Sequence, residues 1–324
     1  MVHVDSLRAA AFGDRPEADV RHAAAGTPRE RWLAAVVLGG QGHYAAAATL
    51  LGTLVRSGDR LIASLAASTL ASHRRQLGGH AAARKLDALA LATLPPANRL
   101  AADRLAADYS AADSPDGLAG VWDEDGVDLA GARGDALLGL AADALGAGRL
   151  GEARRLHALV EPRSWRTTVR KHWVAAEIEL AGGHAERAVG PAEAAVRHAE
   201  TADATRHILK SRLVLGTALV VWGTPESVER GARTLWCDLN HTDRRGLFSL
   251  SWPTALVLLT SPVVRNPADS ENVRKSAVNA LSCVLRRADP ISRRLAAHSP
   301  WIPMALLRSG EPPNADAETN FLTD

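Results

Sequence analysis

The feature that most restricts this chain is a recurring outline: a small residue, a turn residue seven positions later, and a second small residue five positions beyond that. With the turn residue as ruler, turns fall at Gly42, Gly78, Asp113, Gly148, Gly183 and Gly223, at spacings of 36, 35, 35, 35 and 40 residues. Seven before each stands Ala35, Ala71, Ala106, Ala141, Ala176 or Gly216. Five after stands Ala47, Ala83, Ala153 or Ala188, with Leu118 and Val228 in the two remaining places. Antiparallel helices approach closely only where the facing residues are small, so paired small positions around a Gly turn read as a helical hairpin. A period near 35 then implies stacked hairpins, an α-solenoid. The stretch from Trp32 to Leu51, WLAAVVLGGQGHYAAAATLL, shows the outline most plainly.

This pattern resembles the tetratricopeptide repeat, which carries a small residue seven before its turn glycine and Ala five after it. The resemblance spans Arg29 to Asn240, about two thirds of the chain. The aromatic usual four before the turn is replaced by Leu38 and Leu219, and a terminal Pro stands clearly only at Pro95. The fold expected is all-α: about six TPR-like hairpins with a C-terminal helical cap. Composition agrees. Only 4% of the 324 residues are aromatic, 47% are hydrophobic, and Ala and Leu, the strongest helix formers, are abundant.

The chain divides into an N-terminal helix and loop (1–26), helical repeats (27–242), a cap (243–309) and a polar tail (310–324) expected to be disordered. Repeat three is the weakest, with ADSPDG as its turn and the acidic DEDG at 123–126 closing it. The five extra residues before Gly223 read as a lengthened loop, ETADATR. After Asn240 the period stops, and six prolines between 253 and 303 are read as dividing the cap into short helices, which would cover the apolar face of the last repeat.

Charge is nearly balanced, at +2, with Lys only at Lys85, Lys171, Lys210 and Lys275. That balance is too mild to argue for nucleic acid. Cys237 and Cys283 stand in helical apolar stretches and read as buried thiols of a reducing compartment. No leader is visible at the N-terminus and no apolar run reaches the 18 or more residues that would span a bilayer, so a cytoplasmic location is expected.

Catalytic signatures are absent from the pattern of residues. Gly40, Gly42 and Ala45 match G-x-G-x-x-A, with Asp59 beyond, but a dinucleotide-binding fold needs strands between helices and the recurring unit here is a hairpin. His43, His80 and His184 follow the turns and are expected to be exposed, too far apart to share a metal ion. No metal, cofactor or catalytic residue is expected.

The functional expectation comes from the resemblance, which implies a concave groove lined at 13, 10, 6 and 3 residues before each turn. Those offsets give Arg29, Trp32, Val36 and Gly39; Leu65, Ser68, Ser72 and Arg75; Leu100, Asp103, Ala107 and Ser110; Asp135, Leu138, Ala142 and Leu145; Arg170, Trp173, Glu177 and Leu180; and Lys210, Leu213, Thr217 and Val220. The polar and aromatic members, Arg29, Trp32, Ser68, Ser72, Arg75, Arg170, Trp173, Glu177 and Lys210, are the expected contacts for a protein or peptide partner, making the chain a non-enzymatic scaffold. The alternative is a regulatory or nucleic-acid-associated factor using the basic segment 163–173, with Arg163, Arg166, Arg170 and Lys171. On that helix Arg163, Arg166 and Arg170 share one face and Trp165, Val169 and Trp173 another. The Trp face is expected to pack and the Arg face to be solvated.

Overall fold

Helix starts in this chain are written in its capping residues. The computed structural model describes residues 2–96, 122–264 and 266–308. After α1 (Val2–Phe12) and a 3-10 turn at Arg21–Ala25 comes α2 (Pro28–Gly40), opened by a reciprocal capping box between Thr27 and Glu30 with Pro28 at its first position. Then come α3 (Tyr44–Leu54), α4 (Arg60–Gln76, capped by Asp59) and α5 (His80–Thr93). Beyond 121 are α6 (Leu129–Leu145, capped by Asp128), α7 (Leu150–Ala158), α8 (Trp165–Ala181, capped by Ser164) and α9 (Ala185–Thr201). The chain continues with α10 (Thr205–Trp222), α11 (Pro225–Arg244), α12 (Phe248–Thr260), α13 (Pro267–Arg286), α14 (Pro290–His298) and α15 (Met304–Arg308). The described residues contain no strand. The segment before Gly40 is helical, so the glycine pattern there is no dinucleotide-binding turn. No helix among the described residues is long and apolar enough to cross a membrane.

Five of the six turn residues read from the sequence adopt the left-handed conformation, with φ of 80° at Gly42, 73° at Gly78, 68° at Gly148, 76° at Gly183 and 82° at Gly223. In four of them the next N–H returns to a carbonyl five residues back, as in His43 N to Leu38 O at 2.8 Å and Arg149 N to Ala144 O at 2.8 Å. Only Gly adopts that backbone at little cost, and the returning bond satisfies the helix's orphan carbonyl. The flanking small residues Ala35, Ala71, Ala141 and Ala176, and their partners Ala47, Ala83, Ala153 and Ala188, are all fully buried. At Gly216 a Cβ would stand 2.5 Å from Leu235 Cγ, so the approach of α10 and α11 requires its absence. The sixth turn, Asp113, with Leu100, Asp103, Ala106, Ala107, Ser110 and Leu118, lies outside the described residues. The helices on either side of that segment, α5 and α6, pack directly on each other.

Several expectations are corrected by packing. The extra residues before Gly223 are helical: α9 has 17 residues where α3 has 11, and the connection to α10 is only 202–204. The DEDG segment precedes a helix, with Asp123 Oδ1 accepting from the N–H groups of Asp125 and Val127. Beyond 243 the prolines fall mostly where the helices divide, as expected: Pro262, Pro300 and Pro303 lie between helices. Pro267 and Pro290 stand at the first positions of α13 and α14, and Pro253 lies inside α12. The boundary expected at 242 falls within α11, and α12 and α13 pack against each other like the earlier pairs. The thiols are not buried: Cys237 is exposed and Cys283 half-buried, because the faces of α11 and α13 that turn inward carry Leu235, Leu239, Leu281 and Val284 instead.

The helices that open each pair also touch one another. α2 adjoins α4, α4 adjoins α6, α6 adjoins α8, α8 adjoins α10, α10 adjoins α12, and α12 returns to touch α2. That return is specific. Ser249 Oγ donates to Gly40 O at 2.7 Å, Ala45 N donates to Arg287 O at 2.7 Å, and Arg74 pairs with Asp289 at 2.7 Å. Tyr44 and Leu77 share an apolar cluster with Trp252, Leu281, Val284 and Ile302.

Candidate functional site

The six inward helices and Phe12 of α1 surround one cavity of about 190 Å³. Helical spacing explains who reaches it. With Ser164 capping α8, Arg166, Arg170, Trp173 and Glu177 follow at steps of three and four and share one face. On α10 the same spacing brings Arg206, His207 and Lys210; α4 contributes Ser68, Ser72, His73 and Arg75, and α6 contributes Asp135.

Of the expected contacts, Trp32, Ser68, Ser72, Arg75, Arg170, Trp173, Glu177 and Lys210 line this cavity, together with Val36, Gly39, Asp135, Leu138 and Ala142. Arg29 does not: it pairs with Asp123 at 2.8 Å, about half exposed on the outside. Leu65, Leu145, Leu180, Leu213, Thr217 and Val220 do not line it either. Two of the expected contacts are buried walls rather than parts of an open groove. Trp32 is 1% exposed because Phe12 covers it, ring centroids 5.9 Å apart, and its Nε1 donates to Thr69 Oγ1 at 3.0 Å. Ser68 is 4% exposed.

The basic segment is also placed differently from expectation. Arg163 is exposed, but Arg166 is buried: Nη1 meets Asp135 Oδ2 at 2.7 Å, Nε donates to Asp125 O at 2.7 Å and Nη2 to Gly126 O at 3.0 Å. Arg170 shares Asp135 at 3.2 Å, and Lys171 Nζ donates to Val160 O at 2.6 Å. The arginine face of α8 therefore turns inward, because Asp135 and two free carbonyls stand there to receive it. It forms no solvated stripe.

Electrostatically the cavity has two ends. At one, Arg75 binds both Asp87 and Asp143, with Nε 2.7 Å from Asp143 Oδ1, and His80 Nδ1 stands 3.4 Å from the same oxygen. Burial pushes the Asp87 carboxyl up to about 7 against the pull of Arg75, with Asp143 adding to the rise. His80 is half-buried through this contact, His43 is half-buried too, and only His184 of the three turn histidines is exposed as expected. At the other end lie Arg206, His207, Trp173 and Lys210. Trp173 stacks on His207 at 5.6 Å and 15°, donates from Nε1 to Ser211 Oγ at 2.8 Å, and carries Lys210 Nζ 6.0 Å over its ring. Lys210 and Glu177 stand 3.7 Å apart. Burial, then Arg206 and Arg74, pulls His73 down to about 3, and burial with Arg206, Arg166 and Arg170 holds His207 far below its ordinary value. Both imidazoles are neutral.

Arg206 itself has no acidic partner among the described residues. It packs so closely on Gly40 that a Cβ there would come within 3.0 Å of its Cδ, and its shielded Nε has no acceptor. Burial, then Arg170 and Arg166, pulls its pKa down to about 10. Sequence offsets taken from the resemblance missed Arg206, yet a signal exists. Arg166 and Arg206 both stand 17 residues before their turns, and Arg170 and Lys210 both stand 13 before. The same R-x-x-x-cation step thus recurs 40 residues apart.

No group of three or more His, Cys, Asp or Glu side chains among the described residues is placed to hold a metal ion. No protein-family profile matches the chain, and no curated protein is significantly similar to it.

Proposed function

We propose that this chain is a non-catalytic recognition protein of the TPR-like helical-repeat kind, which binds a protein or peptide partner by admitting part of it to the inner cavity. The reading rests on one observation: charged and aromatic side chains from successive helix pairs, Arg75, Arg170, Trp173, Glu177, Arg206 and Lys210, converge on a single cavity instead of being spread over separate surfaces. Such convergence of a few polar groups with aromatic walls is the usual make-up of a binding site, and Trp and Arg are the residues that most often dominate binding energy. In a stacked array the inward helices carry recognition while the outer ones carry packing, in keeping with the small residues buried between each pair here.

Affinity capture from a native lysate tests this, with wild type compared with Lys210→Glu and with the outer-face variant Arg233→Glu. A partner retained by wild type and by Arg233→Glu but lost with Lys210→Glu supports the reading. A partner set that is the same for all three, with the variants equally folded, overturns it.

A further inference from the structure

The inner cavity holds more positive charge than it can neutralise. Arg75 is balanced by Asp87 and Asp143, Arg166 and Arg170 share Asp135, and Lys210 faces Glu177. Among the described residues five cations therefore meet four carboxylates, and the surplus is Arg206, for which no carboxylate remains. An arginine whose Nε is shielded from water and unpaired is costly to keep, since neither solvent nor protein replaces the lost hydrogen bond. Two other nitrogens of the same walls, His73 Nδ1 and His207 Nδ1, also have no partner. The arginine and two neutral imidazoles can each donate a hydrogen bond, and the acceptor Asp135 Oδ1 in those walls already faces Arg170 at 3.2 Å, so the donors around Arg206 lack an acceptor carrying negative charge.

We infer that the cavity is a receptor for a small oxyanion, a phosphoryl or carboxylate group, with Arg206 as its anchor and Arg170 and Lys210 beside it. Arginine suits this task because its planar fork of donors matches the paired oxygens of either group. Size limits the rest of the ligand. An apolar cavity of about 150 Å³ takes up benzene, so a space of about 190 Å³ admits the oxyanion with a body of one ring or a short chain. The inference rests on the cavity being the recognition site proposed above, and it names the chemistry that enters: an anionic small molecule, or an anionic side chain of the partner.

The test is calorimetric titration of the purified protein with inorganic phosphate and, separately, benzoate, at ionic strength held constant with chloride. Wild type is compared with Arg206→Met, Arg206→Lys and the exposed-face control Arg233→Met. Saturable binding of either anion by wild type and Arg233→Met, at least tenfold weaker in Arg206→Met and intermediate in Arg206→Lys, supports the inference; which anion binds tells phosphoryl from carboxylate. If Arg206→Met proves unstable, the Arg206→Lys comparison decides alone, because lysine keeps the charge and loses the fork. Absence of saturable binding to wild type, or binding indifferent to Arg206, overturns it. If anions fail to bind while partner capture still depends on Lys210, the oxyanion falls and the recognition reading stands.

Discussion

Arg75 and Arg206 line the same cavity from opposite ends, and the difference between their surroundings separates a residue that holds the fold from one that is left available. Arg75 on α4 is enclosed by two carboxylates that are themselves almost fully buried, 1% and 0% exposed at their side chains. Coulombic attraction to both keeps its pKa above the ordinary value although burial opposes it. Arg206 on α10 has the same chemistry and no carboxylate, and its pKa falls. Burial alone does not assign a role to an arginine. The number of acids facing it does.

The comparison can be broken most forcefully at Arg75. Arg75→Met leaves Asp87 and Asp143 without their cation, and breaking a buried pair in this way costs about 3–5 kcal/mol. A denaturant melt at pH 7 should show that loss; a loss below about 1 kcal/mol would mean that the two carboxylates do not depend on it.

A third case sharpens the contrast from the acid's side. Asp238 on α11 is 1% exposed, neither carboxylate oxygen has a hydrogen-bond partner, and Arg212 comes no nearer than 3.8 Å. Burial pushes its carboxyl up to about 7, with Arg212 opposing. The folded protein then binds more protons than the unfolded chain between the usual carboxylate value near 4 and about 7. Stability contributed at this site falls as pH rises through that window and levels off above it. Asp238→Asn removes the charge, so it should stabilise by about 1–3 kcal/mol at pH 8 and by visibly less at pH 5. Equal effects at both pH values in thermal melts would contradict the raised pKa.

Arg206→Met should then behave oppositely to Arg75→Met. In anion-free buffer its stability should lie within about 1 kcal/mol of wild type or above it, since an unpaired, half-buried charge with a shielded Nε is exchanged for an apolar side chain of similar length. A loss as large as that of Arg75→Met would erase the distinction. The smallest effect is expected at Glu177→Gln, whose partner Lys210 is also about one third exposed. Half a kcal/mol or less, roughly, is typical of such pairs, and a chemical melt in low and high salt should scarcely separate variant from wild type.

The turns and the small residues flanking them were the legible part of this chain, because they follow from local chemistry repeated at one period. Gly42, Gly78, Gly148, Gly183 and Gly223 stand at left-handed positions that Gly occupies at little cost, and the alanines around them mark where backbones meet. What escaped were features that depend on residues far away. Trp32 looked like an exposed contact because nothing local announces that Phe12 will cover it. Arg166 looked solvated because Asp135 lies 31 residues earlier on another helix. Pro253 looked like a breaker, yet it sits inside α12 between surfaces that hold it. Arg206 was overlooked for a different reason: its place, one helical turn before Lys210, lies outside the offsets borrowed from the resemblance. The register of the cations themselves, 40 residues apart on α8 and α10, was there to be read.

In helical arrays whose units meet only their nearest neighbours, the terminal units fray first and melting runs inward. Here α2, α3 and α4 are bonded to the segment from α12 to α14 through Ser249 with Gly40, Ala45 with Arg287 and Arg74 with Asp289. Neither flank is then an outermost unit. Releasing either flank must break contacts between residues some 200 positions apart, so amide exchange in α2 and α12 should proceed at comparable, slow rates instead of grading from the ends toward the middle.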